Sequence, residues 1–265
     1  MTNPFNQQAP VPGIKNIIAV GSGKGGVGKS SIALNLAVSL KKQGHKVGLL
    51  DADIYGPSLP RMTGALNQKI TLNADSKLEP IVKYGLKIMS MGFLVEENQA
   101  IIWRGPMLFK AMNQFFQDVQ WGELDYLIID LPPGTGDVCL TIAQKVPVTG
   151  ALVVSTPQNI ALVDAKKAID LFVKLNIPVL GVVENMSGFN VPGTGERIEL
   201  FPKGQLDTFL ETNNIAKLTE IPFDPSIAMC TESGIPFVDG SPDSPSCLAF
   251  QKLSLSVSNQ TQQKI

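Results

Sequence analysis

The run Gly23-Lys24-Gly25-Gly26-Val27-Gly28-Lys29-Ser30 fits G-x-x-x-x-G-K-[ST], the pattern of a phosphate-binding loop. Each residue type has a task in that chemistry. Glycines let successive backbone N–H groups turn inward around phosphate oxygens. Lys29 is expected to reach the β- and γ-phosphates of ATP, and the Ser30 hydroxyl to ligate Mg2+. Ser31 closes the segment by leading into a helix whose positive N-terminal end faces the anion. A second pattern overlaps the first: Gly21, Gly23 and Gly26 satisfy G-x-G-x-x-G, and Asp51 follows at the end of the next apolar run, as in a dinucleotide fold. The pair Lys29-Ser30 favours the triphosphate, because a dinucleotide has no need of it. A glycine-rich turn without a ligand is the bland alternative.

Three acidic positions extend the reading. Leu127-Ile128-Ile129-Asp130 is an apolar run ending in a carboxylate, where a second group around Mg2+ belongs in a P-loop enzyme. Asp51-Ala52-Asp53 ends another run, and Asp53 is a candidate to orient or deprotonate an attacking water or to face the metal. The alternative for Asp53 is a turn cap before Gly56-Pro57. The loop Pro132-Pro133-Gly134-Thr135-Gly136-Asp137 follows Asp130 and suits a switch between nucleotide states. Asp137 could equally be a helix N-cap.

These residues need strands to present them and helices to cover the strands. Asn16–Val20, Val47–Leu50, Tyr126–Ile129, Ala151–Val154 and Val179–Val183 are apolar over their length, as strands covered on both faces are. Helical spacing marks Ser30–Gln43, Pro106–Phe116 and Ile160–Leu175, and Pro225 and Pro245 sit where later helices could start. Residues 66–94 are less legible: Leu78–Ile81 and Leu86–Met91 suit edge strands or a small hairpin. The alternation predicts an α/β fold, a doubly wound, mostly parallel sheet with helices on both faces. One domain over residues 15–258 is expected, with a flexible lead-in at 1–14 and a polar tail at 259–265.

Composition narrows the function classes. With 265 residues, 44% of them hydrophobic, a sizeable core can be buried. The net charge of -1 offers no basic field for nucleic acid. Met1–Pro12 does not read as a signal peptide, no apolar run suits a membrane span, and the last helix lacks a basic face, so no membrane role is expected. The three cysteines, Cys139, Cys230 and Cys247, are scattered and form no disulfide framework; a cytoplasmic setting is expected. His45, the single histidine, follows Gly44 at a helix end and reads as a turn residue. Trp103-Arg104-Gly105-Pro106 could shape a partner surface or pack inward.

Lys24 inside the loop resembles the deviant Walker A signature of the MinD/ParA/nitrogenase-iron-protein class. Five further runs narrow the resemblance to the Mrp (ApbC) branch: Asp51–Ser58, Trp103–Met107, Asp130–Asp137, Thr156–Gln158 and Glu184–Ser187. The resemblance covers about residues 15–258. It implies a homodimer in which Lys24 reaches the partner subunit's nucleotide, Asn185 contacting the adenine base, and slow ATP hydrolysis in the service of iron–sulfur cluster assembly or transfer with client or assembly proteins. A strand-end turn residue is the plainer reading of Asn185. The branch also implies Cys-x-x-Cys shortly after Glu184-Asn185-Met186-Ser187, shared across the dimer to hold a cluster. Here Val191 and Thr194 stand at those places, and neither supplies a thiolate. Cys139 and Cys230 are the remaining thiols near motifs, each also readable as a small buried residue. The chain is therefore expected to be an ATPase of the Mrp type with cluster binding in question. The alternative is a nucleotide-controlled protein-interaction switch without a cluster, and a small-molecule kinase is a weaker third.

Overall fold

The structure is a computed structural model that describes residues 8–54, 56–94, 105–134, 136–202 and 204–262, without the side chains of 105, 106 and 108. The expected Trp103-Arg104 motif and Thr135 lie outside the described residues. Among the described residues the strands form a nine-stranded sheet in the order β10 (Arg197–Ile198), β9 (Val179–Asn190), β8 (Gly150–Ser155), β1 (Ile14–Ser22), β7 (Leu124–Asp130), β2 (Val47–Asp51), β6 (Leu86–Ser90) and β5 (Ile81–Lys83), with β11 (Lys217–Phe223) also paired to β9. The five sequence-predicted strands are β1 (Ile14–Ser22), β2 (Val47–Asp51), β7 (Leu124–Asp130), β8 (Gly150–Ser155) and β9 (Val179–Asn190). Their neighbours pair in parallel, whereas β5 (Ile81–Lys83) with β6 (Leu86–Ser90) and β10 (Arg197–Ile198) with β9 pair antiparallel. A separate two-residue pair, β3 (Thr71–Leu72) and β4 (Leu78–Glu79), stands apart from the sheet.

Covering helices explain why the central strands are apolar throughout. On one face lie α3 (Gly105–Gln117), α4 (Asp137–Lys145) and α5 (Asn159–Lys174), packed with Phe115, Trp121 and Phe172 against Leu127 and Ile129. On the other lie α1 (Lys29–Lys42) and α9 (Pro245–Gln262), where Leu36, Leu40 and Phe250 meet Ile18 and Ile128. Alternate residues of β7 thus feed opposite cores, and each large aliphatic side chain buried this way contributes roughly 1.5–3 kcal/mol.

Four details refine the sequence reading. Within the expected lead-in, Val11 is buried and the Ala9 N–H donates to the Lys145 carbonyl at 3.0 Å, while Gln8, Ala9, Pro10 and Pro12 are exposed. The polar 259–262 continue α9, because Thr261 is buried and its hydroxyl meets Tyr126 Oη at 2.9 Å. Strand β9 runs seven residues past the apolar Val179–Val183. Its polar half is held by pairing with β11 (Lys217–Phe223) and β10 rather than by hydrophobicity. Of the two readings offered for Leu86–Met91, the small hairpin is the one found: β6 pairs antiparallel with β5 across the Tyr84-Gly85 turn and in parallel with β2, which leaves the sheet edge to β5.

Candidate nucleotide site

Strands β1, β7 and β2 are adjacent and parallel, so the loops after them converge at one end of the sheet. The loop after β1 holds Gly23–Gly28 and opens directly into α1 at Lys29. Gly26 and Gly28 adopt φ +79° and +84°, a left-handed backbone suited to glycine. At Gly26 an added Cβ would meet only open space, whereas at Gly28 it would lie 2.3 Å from Asn185 Nδ2. At Gly23 it would fall 2.0 Å from the Asp164 carbonyl oxygen of α5. The loop is pinned elsewhere by the Ser22 hydroxyl, which donates to the Lys24 carbonyl at 2.9 Å, and by the Gly134 N–H, which donates to the Ser22 carbonyl at 2.8 Å. That second bond joins the Pro132–Asp137 segment to the phosphate loop. Asp137 opens α4 as its first residue and Gly136 is the N-cap, so the N-cap expectation for Asp137 does not hold.

Lys29 and Asp130 form a buried ion pair, Nζ to Oδ1 at 2.5 Å. The other carboxylate oxygen, Asp130 Oδ2, is buried with no hydrogen-bond partner among the described residues. Ser30 Oγ lies 3.4 Å from Lys29 Nζ. One strand over, Asp51 is fully buried and is the register partner of Asp130. Its carboxylate accepts from the N–H of Asp53 at 3.1 Å, the N–H of Leu59 at 3.1 Å and the Ser90 hydroxyl at 3.0 Å. Burial, and then the charge of Asp130, push the Asp51 carboxyl up to about 7. Burial also raises Asp130, but there the Lys29 ammonium and the Ser30 hydroxyl oppose it. Both carboxyls thus hold a proton more readily than an exposed aspartate does, and of the two only Asp130 has an ammonium beside it. Asp53 is half-buried, accepts from the Gly56 N–H at 3.2 Å and adds its negative field at Asp130.

The structure thus brings Lys29, Ser30, Asp130 and Asp53 to one place. Asn185 joins them from β9, its Nδ2 donating to the Val27 carbonyl at 2.9 Å, so its side chain braces the phosphate loop. Lys24 is half-buried, and its ammonium has no ion pair or hydrogen bond among the described residues. Sequence reasoning missed the Ser90–Asp51 tie and the Asp164 carbonyl against Gly23. Both are long-range contacts with no local signal. The glycine cradle, the ammonium and the unpartnered oxygen of Asp130 fit a nucleotide triphosphate with a hard divalent cation.

The thiols are arranged otherwise. Cys139 is buried in α4 on one face of the sheet, and Cys247 is buried in α9 on the other. Cys230 sits half-buried in α7 (Pro225–Glu232), its Sγ 3.8 Å from Ser241 Oγ. Burial pushes the Cys139 thiol up to about 11 and raises Cys247 as well, opposite to what a thiolate ligand needs. Val191 and Thr194 lie in the turn between β9 and β10, closed by the Val191 N–H donating to the Glu196 carbonyl at 2.8 Å. Among the described residues no group of three or more His, Cys, Asp or Glu is placed to hold a metal ion. The residues present do not make a four-thiolate site within one chain.

Known proteins agree with this geometry. The profile of the ParA family, described as NUBPL iron-transfer P-loop NTPase, matches residues 13–258. The chain is 49% identical over 263 residues to an iron-sulfur cluster carrier protein of Aquifex aeolicus, covering 99% of this chain and 72% of that one. It is 48% identical over 247 residues to the protein of that name in Escherichia coli K12, covering 93% and 67%. Among solved structures, a nucleotide-binding protein from Archaeoglobus fulgidus in complex with ADP superposes with a TM-score of 0.78 at 38% identity, covering 94% of this chain and 97% of that one. The MinD of Pyrococcus horikoshii complexed with Mg-ADP follows at 0.68 and 25%, covering 95% and 99%. With a phosphate loop, an α/β sheet that superposes on these nucleotide-binding neighbours and a family match over nearly its whole length, the chain belongs to the ParA family of NUBPL-type iron-transfer P-loop NTPases.

Proposed function

We propose that this chain binds and hydrolyses ATP as a cytoplasmic homodimer and serves iron–sulfur cluster assembly or transfer through client or assembly proteins. The observation that carries the nucleotide half is the Lys29–Asp130 pair beneath the glycine loop, with Asp130 Oδ2 buried and unpartnered. In this reading the loop N–H groups and Lys29 hold the β- and γ-phosphates. Ser30, Asp130 and Asp53 are the residues that would hold Mg2+, whose charge neutralises the phosphate oxygens as the γ-phosphoryl leaves. Asp53 orients the attacking water, Asn185 keeps the loop in shape and lies beside the adenine, and Lys24 neutralises charge on the partner subunit's nucleotide.

The cluster half is supported by the names of the relatives, and the chain's own thiols lend it no support. The cluster is accordingly cargo handled between proteins. The second reading, a nucleotide-controlled interaction switch without a cluster, draws on the same separation of Cys139, Cys230 and Cys247. Two measurements test the proposal: phosphate release from ATP with Mg2+ by the purified protein, and anaerobic transfer of a cluster from a loaded donor to an apo-acceptor with and without the protein and ATP. No turnover above buffer would overturn the ATPase reading, and transfer indifferent to the protein would leave the switch reading in its place.

A further inference from the structure

At the end of the sheet opposite the phosphate loop there is a cavity of about 580 Å3 that the nucleotide chemistry does not use. That volume lies within the range typical of small-molecule sites. Its walls come from separate segments: the end of α1, the turn into β2, the β5–β6 turn, β6 and the start of β7. Lys41, Lys46, Lys87 and His45 line it with one carboxylate, Glu123, and a second, Asp125, lies beside them, accepting from the Lys46 backbone N–H at 2.8 Å and paired on its other oxygen with Lys15. In a chain whose net charge is -1, this is a local concentration of positive charge. The floor is apolar, from Val47 and Leu124, both buried.

Two features of the backbone keep the cavity open. Gly44 has φ +93° and an added Cβ there would meet nothing within 4 Å, so space stands above it. Gly85, at φ +73°, lets Lys41 lie across the β5–β6 turn, since a Cβ would come 2.5 Å from Lys41 Cε. Lys87 is held from below, its ammonium donating to the Trp121 carbonyl. The His45 ring is fixed edge-on to Tyr126 with centroids 5.0 Å apart. Neither Lys41 nor Lys46 has an ion pair among the described residues. Exposed lysines at a helix C-terminus can simply offset its dipole. Lys46 and Lys87 lie outside the helix, however, and still face the same space.

We infer that this cavity binds a small molecule bearing two or more anionic groups, phosphates or carboxylates, at a site separate from the nucleotide. The lysines supply the charge attraction, and the imidazole edge and apolar floor hold the body of the ligand.

The test uses His45 as a local reporter, because it is the only histidine in the chain. The whole protein is first saturated with Mg-ADP so that the phosphate loop is filled. Inorganic pyrophosphate and tricarballylate are then titrated separately while the histidine ring protons are followed by NMR. The expected result is a saturable shift with at least one probe, and the tighter probe tells phosphate from carboxylate. In the double variant Lys41→Gln/Lys46→Gln the affinity falls about ten-fold or more, while ADP affinity and melting temperature stay those of the parent. No saturable shift with either probe would overturn the inference, as would an equal affinity in the double variant.

Discussion

Lys29 has two partners in prospect, and the structure separates their effects. Removing its ammonium takes away a phosphate contact and also strands Asp130 as an uncompensated buried charge. Lys29→Ala is therefore expected to lose most ATP affinity by calorimetry and also to lose about 3–5 kcal/mol of stability. Adding Asp130→Asn should recover a good part of the stability and none of the affinity, and denaturant melts of the three variants check this. A full recovery of ATP binding in the double variant would remove Lys29 from the phosphate site. Lys24 makes the opposite case, since nothing among the described residues of its own chain holds its ammonium. Lys24→Ala should keep nucleotide binding by the monomer, lose dimerisation with ATP in light scattering, and lose most turnover. Asp53→Asn keeps the size of the side chain and removes its charge. ATP should still bind and turnover should fall; an unchanged rate would leave Asp53 a loop residue only.

At the level of elements, the phosphate loop is held by what packs on it. Gly28 combines a left-handed backbone with the Asn185 amide standing where a Cβ would go, 2.3 Å away, so Gly28→Ala should be costly twice over. Pairing it with Asn185→Ala relieves the contact but not the backbone, and thermal melts should show a partial rescue. Strands β2 and β7 bring Asp51 and Asp130 side by side, and that pairing has a pH signature. The folded-state value of Asp51 lies above its unfolded value, so the folded chain binds the extra proton. Its contribution to stability is fully present below the ordinary value of 3.8 and is lost as pH rises through about 7. Asp51→Asn should flatten that decline in the melting temperature. A parent and a variant with the same slope between those values would show that Asp51 is ionised throughout.

At the scale of the whole molecule, the placing of the thiols sets the expectation for cluster binding. Cys139 and Cys247 are on opposite faces of the sheet, each in its own core. Anaerobic reconstitution of the parent with iron and sulfide should give no stable cluster, read by visible absorbance and by iron and sulfide content. Val191→Cys with Thr194→Cys places two thiols in the β9–β10 turn at the two-residue spacing of a chelating pair, and a dimer would then offer four. That variant should gain a cluster. Absence of any gain would mean that the turn, closed by its own backbone hydrogen bonds, does not present the pair to a second subunit.

The phosphate loop, the central strands and the fold class were legible in the sequence because each rests on local pattern. Glycine spacing, an apolar run or a helical repeat is complete within a dozen residues. The carboxylates at the strand ends were legible for the same reason, since a run such as Leu127–Asp130 names its own terminus. What the tertiary structure alone decided joins residues far apart in the chain. The Lys29–Asp130 pair spans 101 positions and the Asn185 brace on Val27 spans 158. No periodicity announces either. The polar half of β9 escaped notice because pairing, not hydrophobicity, makes it a strand. The basic cavity escaped because its lysines come from different segments, and charges scattered along a chain of nearly zero net charge gather only when the sheet brings their strands together.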